Sequence, residues 1–254
     1  MKILSWNVNG IRACAQKGLV AWMVHSDADV ICLQETKAKP EQLDDTLLDL
    51  PGYRAYWHSA ERAGYSGVVT YTRIVPREVV YGLGGGWQDD EGRVIRTDFD
   101  ALTLFNVYFP NGQRDEERLA YKLAFYDHFL TMAEELRRAG HRLVISGDYN
   151  TAHKEIDLAN PQENSERSGF LPVERAWLDK FVGHGYMDTF RELHQEPEQY
   201  TWWTYRFGAR RRNIGWRIDY HFISAELRPH LTAATIHPDV MGSDHCPVGL
   251  ELDL

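Results

Sequence analysis

Polar side chains that can bind metal ions or activate water stand at the ends of five apolar, strand-like segments of the chain. They are Asn7 and Asn9 in KILSWNVNG, Gln34 and Glu35 in DVICLQETK, Asp148 and Asn150 in LVISGDYN, Asp219 in GWRIDY, and Asp244 and His245 in GSDHCP. A single Gly-Asp or Asp-His turn is ordinary beside a strand and predicts no site. Together these ends indicate one, because strand ends converge at one edge of a sheet, where α/β proteins place their chemistry.

The chemical types of these side chains fit a single reaction. Glu35, with Asn7 or Asn9, offers the hard oxygen ligands that Mg²⁺ and Mn²⁺ prefer. Asp148 is a candidate to orient or deprotonate a water molecule, and a histidine beside an acid indicates an imidazole whose charge a carboxylate controls. Because no serine or cysteine lies in a nucleophile motif such as GxSxG, water is the expected nucleophile. The set predicts metal-assisted hydrolysis of a phosphate ester.

An arginine-rich segment, YRFGARRRNIGWR, qualifies what the net charge suggests about partners. The formal net charge of −9 disfavours a polyanionic partner, since a negative field repels phosphate. The segment contains Arg206, Arg210, Arg211, Arg212 and Arg217, interleaved with Tyr205, Phe207 and Trp216. Such a run is either a solvated face or a grip on a nucleic-acid backbone, and the sequence leaves both interpretations open.

The periodicity of apolar residues predicts an α/β protein. Strand-like runs are KILSWN, DVICLQ, GVVTYT, LTLFNVYF, RLVISGD, RIDYHFIS and PVGLEL. Helices are predicted over Asp115–Ala139, from Pro172 to Gly183, and over Leu19–His25. Since strands outnumber helices and no linker divides the chain, residues 1–254 are expected to form one domain with two packed sheets and helices outside.

The ends of the chain and its cysteines bear on the compartment. Polar residues interrupt the apolar start of the chain before a signal-peptide core forms, and no segment approaches the roughly 20 apolar residues of a membrane span. The three cysteines show no CxxC spacing. We expect a soluble protein without membrane contact in a reduced, cytoplasmic compartment, associated with the nucleoid if the source is prokaryotic.

The motifs WNVNG, LQETK, YFPNG, GDYNTAHKEIDL, GWRIDY and SDHCP, in this order, closely resemble the exonuclease III family of apurinic/apyrimidinic endonucleases. The resemblance runs from Ile3 to Leu252 and extends to the wider fold of metal-dependent phosphodiesterases that includes DNase I. It implies a four-layered α/β sandwich in which two mixed sheets are flanked by helices. It also implies cleavage of double-stranded DNA 5′ to abasic sites, with 3′–5′ exonuclease and 3′-phosphodiesterase trimming of blocked 3′ ends. We expect a monomer, because a DNA-wrapping face needs no partner subunit.

The same resemblance assigns roles to individual residues. The catalytic set is Tyr108, Asp148, Asn150, Asp219 and His245. The metal-binding set is Asn7, Glu35 and Asp244, with Mg²⁺ as the ion and Mn²⁺ as a substitute. The DNA-binding set is Arg12, Lys37, Tyr65, Arg93, Asn111, Arg114, Arg206 and Arg210. The pocket for the flipped-out abasic sugar is formed by Trp202, Trp216 and Ile218.

Two positions depart from the family pattern. Asn9 stands where some members carry a metal-proximal aspartate, which would reduce the negative charge at the ion. Trp202 stands where phenylalanine is common, which would narrow the sugar pocket and change lesion preference.

Two other functions remain open from the sequence. One is a phosphodiesterase of the same fold that acts on a phosphoinositide or on sphingomyelin, and it would lack the aromatic pocket and the arginine-rich segment. The other is a non-catalytic protein that binds nucleic acid, for which loss of Glu35, Asp148 or His245 is expected, although all three are present.

Overall fold

Twelve strands form two six-stranded sheets that pack face to face in the computed structural model, which describes residues 1–254. In chain order the strands are β1 (Lys2–Asn7), β2 (Val30–Gln34), β3 (Arg54–His58), β4 (Val68–Thr72), β5 (Glu78–Tyr81), β6 (Val94–Asp98), β7 (Thr103–Tyr108), β8 (Leu143–Asp148), β9 (Tyr186–Asp188), β10 (Asp219–Ser224), β11 (Leu231–Ile236) and β12 (Val248–Leu252). The helices are α1 (Ile11–Ala15), α2 (Leu19–His25), α3 (Asp45–Leu48), α4 (Glu116–Arg138), α5 (Pro161–Asn164), α6 (Pro172–Gly183) and α7 (Thr189–Leu193).

Both sheets are mixed, and the two have the same arrangement of parallel and antiparallel strands. The first has the order β11-β12-β1-β2-β4-β3, and the second has the order β5-β6-β7-β8-β10-β9. Each contains one parallel pair, β1 with β2 and β7 with β8, and its other neighbours are antiparallel. The predicted fold of two packed mixed sheets between helices is confirmed, and the carboxyl ends of the parallel strands supply the loops of the site described below.

The central strands are buried along their whole length, which explains their nearly continuous apolar sequences. Apolar side chains of both sheets, among them Ile3, Val30, Leu104, Val144 and Leu250, form the layer between the sheets. A second cluster packs α1 and α2 on the first sheet, and a third packs α4 and α6 on the second. Helices therefore cover the outer faces, and the site lies at the rim of the sandwich.

The long predicted helix is confirmed as α4. Asp115 is its N-cap and accepts a hydrogen bond from the backbone N–H of Arg118 at 2.7 Å, which satisfies one of the free donors of the first turn. Arg137 and Arg138 lie in the last turn, where positive charge complements the helix dipole. The other two predicted helices are α2 and α6.

All seven predicted strands are present, but five others were missed: β3, β5, β6, β9 and β11. Four of these are partly exposed or very short, and β3, β5, β9 and β11 lie at the edges of their sheets. β6 carries Arg96 and Asp98, which bond to each other at 2.8 Å. Strands with an exposed polar face lack the continuous apolar run on which the prediction relied.

None of the helices is both long and apolar enough to cross a membrane. The cysteines Cys14, Cys32 and Cys246 are buried free thiols.

Candidate functional site

The ends of strands from both sheets meet at a single point. Asn7, the last residue of β1, donates through Nδ2 to Glu35 Oε1 at 2.9 Å and to Asp148 Oδ2 at 2.8 Å. Glu35 follows β2 in the first sheet, whereas Asp148 ends β8 in the second. The predicted convergence of polar strand ends is therefore confirmed, and one buried amide joins the two sheets at that edge.

The backbone at this edge adopts conformations that are unfavourable for residues with side chains. Asn9, Glu35 and Asn150 have left-handed φ values of 44°, 52° and 51°. Each such residue costs about 1 kcal/mol or more, so strain is concentrated where the functional side chains are presented. Gly147 precedes Asp148 because a Cβ there would lie 1.8 Å from the carbonyl oxygen of Val107 in the neighbouring strand.

Asp148 is fully buried and held by three donors. Its Oδ1 accepts from the backbone N–H of Asn150 at 2.8 Å, and its Oδ2 accepts from Asn7 Nδ2 and, at 3.3 Å, from Asn150 Nδ2. Burial, followed by the negative charge of Asp219, raises the pKa of Asp148 to about 7, against the opposing effect of His245. Its carboxyl group can therefore exchange a proton near neutral pH.

His245 and Asp219 form a buried pair beside Asp148. His245 Nδ1 donates to Asp219 Oδ2 at 2.9 Å, and His245 Nε2 lies 3.9 Å from Asp148 Oδ2. Burial alone would lower the pKa of the imidazole, but the charge and hydrogen bond of Asp219 outweigh it and raise that pKa to about 10. At neutral pH the ring is thus an imidazolium, and His245 lines the open cleft.

Glu35 lies in a position that binds positive charge. Lys37 Nζ approaches Glu35 Oε2 to 2.8 Å and also contacts Asn9 Oδ1. Burial would raise the pKa of Glu35, but the charge and hydrogen bond of Lys37 and the amide of Asn7 hold it below its usual range. The residue therefore presents an ionised carboxylate to the cleft.

Three side chains with potential ligand atoms lie close together, and the two carboxylates among them suit a metal ion. One ligand atom each of Glu35, Asp148 and His245 lies within 4.8 Å of the others. The carboxylates and the nearby Asn7 amide are hard donors that fit a divalent cation, although His245 as an imidazolium cannot coordinate one. Asp244 lies outside this group of three.

Asp244 contacts Asn9 and Trp202 at the edge of the site. Its Oδ1 accepts from Asn9 Nδ2 at 2.9 Å and from Ser243 Oγ at 3.2 Å, and its Oδ2 accepts from Trp202 Nε1 at 3.1 Å. Burial opposes its ionisation, but His245 and these donors hold the pKa of Asp244 below its usual range.

A cleft of about 1140 Å³ opens above these residues. Its lining includes Glu35, Tyr108, Asn150, Asp244 and His245, and also the three predicted pocket residues Trp202, Trp216 and Ile218. The rings of Trp202 and Trp216 meet edge to face, with centroids 6.3 Å apart and planes at 89°. Gly169 allows the chain to pass close to the Trp216 ring, because a Cβ at this position would lie 3.1 Å from that ring.

Residues 4–245 match the family model described as "Endonuclease/Exonuclease/phosphatase family". The chain belongs to this family. It is 43% identical to an exodeoxyribonuclease of Bacillus subtilis (strain 168) over the whole of both chains. It is 42% identical to the DNA repair nuclease APEX1 of Danio rerio, over 99% of this chain and 82% of that protein. These similarities confirm the resemblance drawn from the motifs.

Solved structures show the same fold. The catalytic domain of Xenopus laevis APE2 is 35% identical, with a TM-score of 0.90 over 99% of this chain and 91% of that one. A 3′ phosphatase from Neisseria, NExo, bound to a product DNA hairpin, is 28% identical, with a TM-score of 0.92 over the whole of both chains. An AP endonuclease from Archaeoglobus fulgidus is 26% identical, with a TM-score of 0.91 over both whole chains.

The residues predicted to bind DNA lie partly in the lining of the cleft and partly outside it. Lys37, Asn111 and Arg206 line the cleft, and Asn111 Nδ2 donates to Asn150 Oδ1 at 3.0 Å. Arg12 and Arg114 are exposed outside the cleft lining. Arg114 pairs with Asp115 at 2.7 Å on this surface, and both arginines lie where a ligand larger than the cleft can contact them.

The structure corrects the prediction for Arg93. Its side chain is only 1% exposed, and it bonds to Glu91 Oε2 at 2.6 Å, to the carbonyl of Tyr108 at 2.8 Å and to Tyr65 Oη at 3.1 Å. A buried guanidinium with these partners cannot reach a phosphate. Arg93 instead holds Tyr65 and Tyr108 in place.

Two members of the arginine-rich segment also bond within the protein. Arg210, predicted to bind DNA, donates to the carbonyls of Ser243, Pro238 and Val240 at 2.7–3.0 Å, so it closes the loop that carries Asp244. Arg217 is buried between Asp157 and Asp188. Of the arginines in this segment, only Arg206, Arg211 and Arg212 are exposed. The segment is therefore part scaffold and part free cationic surface.

Several residues that hold the side chains of the site in place were not predicted from the sequence. Thr201 Oγ1 donates to Asp219 Oδ2 at 2.6 Å, and the buried Lys122 donates to the carbonyl of Asn150 at 2.8 Å. Lys122 also pairs with the buried Glu174 at 2.6 Å. A threonine in YTWW and a lysine on a helix carry no sequence signal for these contacts, which depend on elements far apart in the chain.

Proposed function

We propose that this chain is a Mg²⁺-dependent DNA repair nuclease that hydrolyses the phosphodiester bond 5′ to an abasic site and trims 3′ ends. The observation that carries the proposal is the juxtaposition of Glu35, Asp148 and His245 with the Trp202–Trp216 wall in one cleft. The printed names of the relatives, an exodeoxyribonuclease and a DNA repair nuclease, support DNA as the substrate. We further propose that residues 1–254 act as one domain and as a monomer.

Metal binding is proposed for Glu35 and Asn7, with Asp244 nearby. Bound there, Mg²⁺ or Mn²⁺ would supply Lewis-acid charge to a phosphate oxygen. The ammonium of Lys37 now contacts Glu35 and balances its charge.

Asp148 is proposed to accept the proton of the attacking water. Its pKa of about 7 matches a general base at neutral pH, and the donors of Asn7 and Asn150 fix its orientation. Asn111 in turn fixes the Asn150 side chain.

His245 is proposed to stabilise the phosphate as negative charge builds on its oxygens. Its Nδ1–H is engaged by Asp219, and Nε2 makes no hydrogen bond within the protein, so the proton there is available to a phosphate oxygen. Tyr108, held by Arg93, lines the same cleft and is proposed to contact the phosphate.

The aromatic wall is proposed to receive the sugar of an abasic nucleotide turned out of the duplex. Trp202, Trp216 and Ile218 make an apolar side of an otherwise polar cleft, which suits a deoxyribose without a base. Contacts to the DNA backbone are proposed for Arg12, Lys37, Tyr65, Asn111, Arg114 and Arg206.

Incision of a duplex with one abasic site, compared with hydrolysis of sphingomyelin and of a phosphoinositide, tests the proposal. We expect cutting of DNA alone, complete loss in EDTA, recovery with Mg²⁺ or Mn²⁺, and a much higher metal requirement for Glu35→Ala. Turnover of a lipid substrate would favour the first rival function. Binding of the duplex without cleavage in Mg²⁺ would favour the non-catalytic one.

A further inference from the structure

The indole of Trp202 and the carboxylate of Asp244 are joined across two segments that are distant in the chain. Trp202 Nε1 donates to Asp244 Oδ2 at 3.1 Å, and both side chains are half-buried at the rim of the cleft. The other carboxylate oxygen already accepts from Asn9 and Ser243. A charge-assisted bond in such a partly desolvated place is stronger than one between neutral groups.

The backbone around Trp202 is held on both sides by hydrogen bonds. The orientation of the indole ring is therefore the main conformational freedom that remains. Trp202 exchanges two backbone hydrogen bonds with Trp216 at 2.8 and 2.9 Å, and the N–H of Trp203 donates to the carbonyl of Asp244 at 2.9 Å. The segment that carries Trp202 therefore lies between the Trp216 segment and the Asp244–His245 segment. With the main chain fixed on both sides, the bond to Asp244 decides how the indole is turned.

We infer that Asp244 is a specificity-determining residue that acts through Trp202, because its carboxylate fixes the indole that forms one wall of the sugar pocket. The inference rests on the proposed function. The indole meets Trp216 edge to face, so its orientation sets the shape of this wall, and we expect the wall to accept a deoxyribose without a base more readily than a complete nucleotide. A phenylalanine at this position has no N–H group, so the coupling depends on tryptophan.

A role of Asp244 at the metal alone makes the opposite prediction in the absence of metal. If Asp244 acts only by helping to bind a cation, its removal has no effect on DNA binding in EDTA. If it acts by holding Trp202, its removal weakens the preference for an abasic duplex even when no metal is present. Binding in EDTA therefore separates the two roles without any measurement of turnover.

The experiment measures, in EDTA, the affinity of the full chain for a duplex with one tetrahydrofuran abasic analogue and for the same duplex intact. The variants are Trp202→Phe, Asp244→Ala and the double variant, and each is checked for folding by thermal melting. We expect the preference for the abasic analogue to fall on the order of tenfold in each single variant, which is the usual strength of a hydrogen bond to a charged group. The double variant should lose no more than either single one, because both changes break the same bond.

Two further variants make the result specific. Trp203→Phe removes the neighbouring indole N–H, which donates to Asn213 Oδ1 at 3.1 Å, and should leave the preference unchanged. Asp244→Asn keeps an acceptor oxygen for the indole and should retain most of the preference, which guards against a failure of Asp244→Ala to fold.

Three outcomes would overturn the inference. A preference that survives Asp244→Ala in EDTA while Trp202→Phe loses it overturns this inference alone, and so does a multiplicative loss in the double variant. A wild-type protein with no preference for the abasic analogue overturns the proposed abasic specificity together with it.

Discussion

The acid–base character of the site comes from a few buried side chains whose neighbours shift their pKa values. Burial and Asp219 raise the pKa of Asp148 to about 7, and Asp219 raises that of His245 to about 10. One group can then accept a proton at neutral pH while its neighbour remains charged, which supports the proposed roles of Asp148 as the base and His245 as the stabiliser of charge. The residue types were predictable from GDYN and SDHCP, but the distances that set these shifts were not.

Asp148→Asn should retain the fold and DNA binding, since it preserves the shape of the side chain, but it should lose about 10²–10⁴-fold in kcat because the amide cannot accept a proton. Single-turnover incision of an abasic duplex, alongside binding in EDTA, measures both properties. A kcat near that of the wild type would show that another group is the base.

His245 and Asp219 should behave as one unit, since their 2.9 Å bond is what keeps the imidazole charged and oriented. We expect His245→Ala to lose on the order of 10³-fold in kcat, Asp219→Asn somewhat less, and the double variant little more than His245→Ala. High Mg²⁺ should partly rescue Asp244→Asn but not His245→Ala. Losses that multiply in the double variant, or metal rescue of His245→Ala, would refute this arrangement.

At the scale of elements, strand ends and short turns determine which side chains are free. Within Arg206–Arg217, two arginines serve the scaffold and the 3₁₀ turn Arg210–Arg212 leaves Arg211 and Arg212 exposed. The sequence pattern of arginines and aromatics could not distinguish these cases. Which guanidinium is free depends on the carbonyls and acids that tertiary structure brings beside it.

Replacing Arg211 and Arg212 together by alanine should weaken binding to abasic and intact duplex alike and flatten its salt dependence by roughly 0.9 in log–log slope for each phosphate group that is no longer neutralised. The matched control is Arg54→Ala with Arg138→Ala, two exposed arginines outside the arginine-rich segment. Fluorescence anisotropy between low and moderate salt gives the slopes. An unchanged slope in the first variant would mean that this turn is an ordinary solvated surface.

At the scale of the molecule, the site exists because two similar sheets place the ends of their parallel strands at the same rim. The strand-end motifs predicted this convergence, and the two-sheet fold followed from the number of strands and the resemblance. The polar links between the sheets were not predicted. Gln34 of β2 donates to Asn106 of β7 at 2.8 Å in the buried interior, and nothing in either local sequence indicates that pairing.

His221 is another such link, and it makes stability depend on pH. It donates from Nε2 to the Val248 carbonyl in the opposite sheet at 3.2 Å and accepts at Nδ1 from Ser146 Oγ at 2.7 Å. Burial lowers its pKa from 6.5 to about 4 despite the bond to Val248. Between these two pH values the unfolded chain takes up a proton on His221, whereas the folded protein does not. The contribution of His221 to the free energy of unfolding is therefore fully present above pH 6.5 and falls as the pH decreases toward 4.

Between pH 7 and pH 4 the wild type should lose on the order of 3 kcal/mol more unfolding free energy than His221→Gln, which lacks the titrating group. Urea unfolding at several pH values measures the difference. Parallel pH dependences in the two proteins would rule out His221 as its source.

We propose that the cleft holds the phosphate at Asp148 and His245 and, at the same time, the abasic sugar at the aromatic wall. The position of the cut in a duplex with one abasic site depends on both placements. With the strand labelled at either end and enzyme in excess, we predict a single incision in Mg²⁺ immediately 5′ to the abasic site. The upstream product should carry a 3′-hydroxyl that a DNA polymerase can extend. Incision on the 3′ side of the lesion, cutting at intact nucleotides with equal rate, or no incision in Mg²⁺ would show that the cleft does not place the phosphate and the abasic sugar in this way.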